Sequence, residues 1–263
     1  MNRRNILKTG LAAGLTGATN LTTPRTTNAA AEGNHYYELR TYQLRNDLTT
    51  KRIHDFFQNH FLPMAKRQDF GPVGCFTVVS GQYTPSLILL VDYKSLGDMQ
   101  AANTRMEGDK DFMKAWQEFE ATAEMPYVRY ESVLLKAFDG HLKTEIPAPN
   151  KAPRLFELRT YESRHHFSLK AKLAMFNQEE IKIFRDSGFA PIFFGESVIG
   201  TRQPSLTYMV AFDDMAARDK CWATFINSEA FKKIRVMPGW TDPEAVSNIY
   251  GSFLRPTAYS QIK

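Results

Sequence analysis

The sequence predicts an α+β chain: two tandem βαββαβ repeats packed on each other as an intrachain pseudo-dimeric barrel. Three observations predict it. Residues 36–42 read YYELRTY and residues 155–161 read LFELRTY, and the offset of 119 holds without a gap along most of the chain. Phe57 matches Phe176, Phe70 matches Phe189, Pro72 matches Pro191, Gly81 matches Gly200, and Pro85-Ser86-Leu87 matches Pro204-Ser205-Leu206. A repeat of that length is domain-sized and too long for a solenoid unit. Second, each copy passes from strand-like alternation to a helical stripe and back in the order β-α-β-β-α-β. Third, helices cover only one face of such a sheet, so the other face must be buried by the second copy.

In the first copy, residues 36–44 alternate and are rich in strand formers. Residues 50–67 place Ile53, Phe56, Phe57, Phe61 and Met64 on one stripe, an amphipathic helix that Pro63 should kink or interrupt. Gly71-Pro72 breaks the chain before a strand over 73–81, and a turn at 82–85 leads into its hairpin partner, 87–93. A helical pattern over 95–122 is broken around Glu107-Gly108-Asp109, and residues 127–137 form the last strand. The second copy repeats the order with 155–161, 167–186, 192–200, 205–212, 215–235 and 248–255. This is the ferredoxin-like arrangement. The domains expected are 35–139 and 154–258. They are joined by residues 140–153, whose Pro147, Pro149 and Pro153 suit an extended surface linker.

Residues 1–31 stand apart. Arg3-Arg4 before Ile6-Leu7-Lys8 resembles a twin-arginine export motif, a short apolar run follows, and Ala29-Ala30-Ala31 offers a cleavage site. The localisation this implies is periplasmic or extracellular, with no transmembrane span in the mature chain, because the apolar run is too short to cross a bilayer. Arg3, Arg4, Lys8 and Arg25 carry four of the 33 basic residues, so the remainder holds 29 against 28 acidic ones. The basic balance belongs to the leader, and nothing after it argues for nucleic acid. Cys75 and Cys221 occupy non-equivalent positions. They could pair in an oxidising compartment, but two buried free thiols behaving as small hydrophobes are the favoured reading, and with no close spacing they do not make a metal site.

Strand alternation sorts the first strand of each copy into two faces. Tyr37, Leu39, Phe156 and Leu158 suit the helix side, which places Glu38, Arg40 and Tyr42, with Glu157, Arg159 and Tyr161, on the barrel side near the shared surface. Two readings of the Glu–Arg pairs stay open. In one, arginine holds an anionic or carbonyl group and a carboxylate acts as base. In the other, the pairs register the two halves, and their recurrence in both copies favours this. His54 is a further ligand-binding candidate. Like His60, His165 and His166, it has no histidine mate at the offset. No GxSxG, P-loop, GxGxxG or HExxH motif is present, and neither a cofactor nor a metal is expected.

The strand opening Glu38-Leu39-Arg40-Thr41-Tyr42, the Gly/Pro hairpin, Val91-Asp92-Tyr93-Lys94-Ser95-Leu96 and Asp111-Phe112-Met113-Lys114-Ala115-Trp116 resemble the NIPSNAP domain. The resemblance spans residues 35–258, and the second copy departs from it where Asp92-Tyr93 becomes Ala211-Phe212 and Trp116 becomes Arg235. It implies the dimeric α+β barrel superfamily, which holds cofactor-independent monooxygenases, small isomerases and haem-handling enzymes. It carries no catalytic motif to a position of this chain. Two functions stand beside each other. One is an enzyme or binding protein for a small apolar or aromatic molecule in an α+β-barrel pocket. The other is a structural or interaction module with a filled barrel. The partners compatible with these are a small-molecule ligand and a second copy of the chain.

Overall fold

In the computed structural model, which describes residues 33–45, 50–122, 124–150 and 152–263, the repeat is visible element by element. The first copy runs β1 (Tyr36–Leu44), α1 (Thr50–Phe56), a π turn (Phe57–Phe61), α2 (Leu62–Arg67), β2 (Val73–Ser80), β3 (Ser86–Tyr93), α3 (Leu96–Gly108), α4 (Lys110–Glu120) and β4 (Tyr127–Ala137). The second runs β5 (Leu155–Glu162), α5 (His166–Met175), a π turn (Phe176–Glu180), α6 (Ile181–Asp186), β6 (Ala190–Ile199), β7 (Ser205–Phe212), α7 (Met215–Asn227), α8 (Glu229–Ile234), α9 (Asp242–Ala245) and β8 (Asn248–Pro256). The leader expected over residues 1–31 lies outside the described residues. Among those described, no helix is long and apolar enough to cross a membrane.

Local chemistry explains the breaks. Asp109 ends α3 and caps α4, its side chain accepting from Phe112 N, which is why the pattern fails at 107–109. The interruption of the first helix is a π turn and not a kink at Pro63. Pro63 follows directly in the first turn of α2, and Phe61 and Leu62 before it are both helical, so the chain runs through the π turn into α2 without a break. The second copy has the same turn at Phe176–Glu180, with Lys182 in place of the proline, so the turn belongs to the repeat.

Eight strands among the described residues close into one antiparallel barrel in the order β1-β3-β2-β8-β5-β7-β6-β4. Each half keeps the ferredoxin-like order, and β2–β8 and β4–β6 join the halves. Residues Glu32–Lys263 form one compact unit. Its interior is a shared core in which Tyr37 packs on Phe193 and Phe76 on Phe156, at 5.1 and 4.9 Å between ring centres. Two further cores lie outside the barrel, each between one half-sheet and its own helices.

The expected faces are therefore reversed. Tyr37, Leu39, Phe156 and Leu158 belong to the barrel interior. Tyr42 and Tyr161 belong to the helix-covered cores, and Glu38, Arg40, Glu157 and Arg159 share their face by alternation. Alternation fixes two faces but not which one points inward. Closure decides it: on the helix side Ser132, Tyr93, Arg218 and Trp222 supply donors to the two carboxylates, and the apolar set takes the interior, where Leu39 and Leu158 border a polar-lined space.

Residues 140–153 are more than a surface linker. His141 and Thr144 are buried. Thr144 N donates to Asp92 Oδ2 at 3.0 Å, and Glu145 N to the Ile192 carbonyl at 2.9 Å. The C-terminal tail does the equivalent at β2, with Thr257 N bonded to the Cys75 carbonyl and Ile262 buried in the shared core. Both cysteines are free, and Cys75 is buried.

Candidate functional site

The first repeat holds a cavity of about 240 Å³ between the outer face of β1–β4 and the layer made by α1, its π turn and α4. Glu38 and Arg40 form its floor, Phe56, Phe57, Trp116 and Phe119 its walls, and Tyr127, Tyr130 and Glu120 lie around Tyr42 and the opening. No site forms where the two repeats' Glu–Arg–Tyr groups meet, because they do not meet. Each lies under its own helices.

Arg40 donates to Glu38 through a fork, Nε to Oε1 at 2.5 Å and Nη2 to Oε2 at 2.8 Å. Ser132 Oγ donates to Oε1 at 2.7 Å and the Tyr93 hydroxyl to Oε2 at 3.4 Å. Burial pushes the Glu38 carboxyl up, but the Arg40 bonds and charge, with Ser132 and Tyr93, outweigh it and hold the group below the usual carboxylate range. A carboxylate so fully supplied with donors is an anchor and not a general base. The fork leaves Arg40 Nη1 outside it. The pair lies along one strand and does not register the two halves, which corrects the structural reading of these residues.

Tyr42 stands edge-on to Phe57 and Tyr127, both at 5.3 Å, and tilted to Tyr130 at 5.2 Å. Burial raises its phenol, with the Arg40 charge opposing. Phe56 stacks on Phe119 at 4.4 Å, and Trp116 Nε1 donates to Glu120 Oε1 at 2.6 Å.

The second repeat treats the same positions differently. Glu157 accepts from Arg159 Nη1 at 2.8 Å, Arg218 Nε at 2.9 Å and Trp222 Nε1 at 2.9 Å, so α7 is pinned down over the floor. The Arg159 guanidinium lies 4.9 Å from the centre of the Trp222 ring. Lys172 takes the place of Ile53, and its Nζ lies 3.4 Å from Glu180 Oε2. The Tyr161 and Tyr208 hydroxyls bond at 2.9 Å.

His54 does not join the site. Its Nδ1 bonds the Tyr259 hydroxyl at 2.6 Å, and burial lowers its pKa. His165 caps α5, accepting from Ser168 N at 3.1 Å. A smaller cavity of about 90 Å³ lies at the polar end of the barrel interior, lined from both repeats by Thr41, Thr160, Ser197, Ser205, Thr207 and Ser252. The residues that sequence reasoning did not single out for the site are Phe119, Tyr127, Tyr130 and Trp116. A signal was present: their mates at the offset are Pro238, Val246, Ile249 and Arg235, so these rings are peculiar to the first copy.

A closed eight-stranded antiparallel barrel with helices outside defines a dimeric α+β barrel protein, here fused into one chain. The NIPSNAP family pattern matches residues 37–135 and again 156–261, and the chain belongs to the NIPSNAP family. Among solved structures, a proposed monooxygenase from Lactobacillus acidophilus is similar over 87% of this chain and 97% of its own, at 10% identity and a TM-score of 0.57. A second, from Fusobacterium nucleatum, is similar over 85% and 93%, at 8% identity and a TM-score of 0.52. A NIPSNAP family protein of unknown function from Agrobacterium tumefaciens matches 43% of this chain with 97% of its own, at 17% identity and a TM-score of 0.39. No curated protein matches the chain. At these identities the solved structures speak to the fold alone.

Proposed function

We propose that this chain binds a small apolar or aromatic molecule in the first-repeat cavity. One observation carries the reading: rings found only in the first copy surround a 240 Å³ space over Arg40, where the second copy inserts its own Lys172 and Trp222. An apolar cavity of about 150 Å³ already admits benzene, so a substituted ring fits. The occupant sits beneath the helices, not inside the barrel. Filling of the barrel centre by Tyr37, Phe76, Phe156 and Phe193 is therefore no argument against a ligand.

Transformation of the bound molecule is the second part of the proposal. Its support is that the fold is shared with two proposed monooxygenases. The group available for it is Arg40, whose Nη1 can stabilise negative charge developing on a ligand oxygen. Glu38 is too well satisfied to take a proton. We further propose export by the twin-arginine route, which rests on Arg3, Arg4 and the alanine site.

The test is thermal stabilisation of the full chain by single-ring aromatic compounds. A ligand at one hundred times its Kd adds about 2.7 kcal/mol. Phe119→Ala should reduce the shift, and a chain unmoved by every such compound at millimolar concentration would overturn the reading.

A further inference from the structure

The second repeat carries an ammonium group where the first carries a cavity wall. Lys172 is equivalent to Ile53, Tyr161 to Tyr42 and Phe176 to Phe57. Lys172 Nζ lies 5.7 Å from the centre of the Tyr161 ring and 5.4 Å from that of Phe176. Both distances fall within cation–π reach. Glu180 Oε2 and Asp242 Oδ1 stand 3.4 and 3.6 Å from the same nitrogen, and the lysine side chain is 2% exposed. A desolvated ammonium is thus held by two ring faces and two carboxylates. On the same helix-covered side Glu157 is shared by two guanidiniums, Arg159 and Arg218, so the negative charge that faces the Lys172 ammonium comes from Glu180 and Asp242.

In the first repeat the equivalent rings line open space instead. The floor is a Glu–Arg pair with its charges cancelled. Glu120 is the remaining charged group lining the cavity, and it is acidic. Trp116, Tyr127 and Tyr130 add ring faces that the second repeat lacks.

We propose that the first-repeat cavity takes an organic ammonium ion, its head against Tyr42 and Phe57 where the second repeat seats Lys172, with Glu120 as counter-charge. The proposal rests on reading the cavity as a binding site and names the class of its ligand. Ile53 determines the specificity, because it leaves unfilled the volume that a lysine uses. A neutral ring of the same size gains burial but not the attraction of the ring faces and Glu120. A carboxylate meets Glu38 and Glu120, and the one cation lining the cavity among the described residues, Arg40, has only Nη1 outside its fork with Glu38.

The experiment is isothermal titration of the full chain with benzyltrimethylammonium, benzyl alcohol and benzoate. The ammonium should bind about tenfold or more tighter than the alcohol, a difference within the range of a desolvated cation–π contact, and benzoate should bind weakest. Glu120→Gln should weaken the ammonium several-fold and leave the alcohol unchanged. Ile53→Lys should abolish ammonium binding in a chain whose circular dichroism is native, and if that chain does not fold, Glu120→Gln alone decides. Equal affinity for ammonium and alcohol, or preference for benzoate, overturns this inference and leaves the cavity a binding site. Failure of all three compounds to bind overturns this inference, and the binding reading falls with it if the wider set of single-ring compounds also leaves the chain unmoved.

Discussion

The ring of Phe76 lies 4.9 Å from the ring of Phe156, and this contact crosses from one repeat to the other inside the barrel. Neither repeat owns that core. Residues 32–145 expressed alone should therefore form a dimer or aggregate, since a single ~100-residue unit with an exposed apolar face has little stability to spare. Light scattering after size exclusion reads the outcome. A stable monomer melting with the full chain would show that the halves are independent.

Removing Arg40 should destabilise the chain. Glu38 is 6% exposed and would keep only Ser132 and Tyr93 as donors. Arg40→Met should cost about 3 kcal/mol, the lower part of the range for breaking a buried pair. Arg40→Met with Glu38→Gln should recover part of that loss. Denaturant midpoints compare the three chains, and an unchanged midpoint for Arg40→Met would mean the fork is not a stabilising contact.

Acid should weaken the fold through Glu38 and Glu157. Burial raises both groups, but their bonds from Arg40, Ser132 and Tyr93 in one case and from Arg218, Trp222 and Arg159 in the other leave the folded pKa below the unfolded one. Between those values the unfolded chain binds more protons, so stability rises with pH there. The contribution is complete above the unfolded pKa of ~4.3 and is lost as pH falls through the folded values. Glu38→Gln should flatten the dependence of the urea midpoint on pH between about 5 and 3. A variant curve parallel to wild type would discount Glu38.

The Lys172–Glu180 pair should behave in the opposite way. Burial pushes Glu180 above the usual carboxylate range, with Lys172 opposing. Stability gained from that shift is present below the unfolded pKa and is lost as pH rises through the folded one. Lys172→Ile alone strands a buried carboxyl and should cost about 3 kcal/mol near neutral pH. Lys172→Ile with Glu180→Leu should be neutral or stabilising by about 1–4 kcal/mol. Thermal melts of single and double variants separate the cases, and a double variant as weak as the single would contradict this account.

Export has its own readout. With Arg3 and Arg4 both replaced by lysine, the uncleaved chain should remain in the cytoplasm. Normal accumulation of the processed chain outside the cytoplasm would remove the twin-arginine assignment.

Element order and most strand limits were legible because each rests on local signals. Residues 127–137 and 205–212 are runs of strand-forming residues bounded by breakers and are β4 and β7 with those bounds. The Glu38–Arg40–Tyr42 grouping was legible for the same reason, since three alternate residues on one strand must share a face. Which face they share was not, because it depends on barrel closure, a property of eight strands together. Trp116 and Phe119 reach the cavity only through the path of α4 across the sheet, and no spacing in the sequence encodes that distance. His54 points to Tyr259, a partner 205 residues away.

Lysine at 172 and isoleucine at 53 are alternatives at one structural position. In a barrel assembled from two identical chains, a codon change there would appear on both sides at once. Covalent duplication lifts that constraint: one half can be stapled shut by its own side chain while the other stays available. Saturation should accordingly be reached at a single equivalent of ligand per polypeptide, and titration should show a simple hyperbola with no cooperativity between sites.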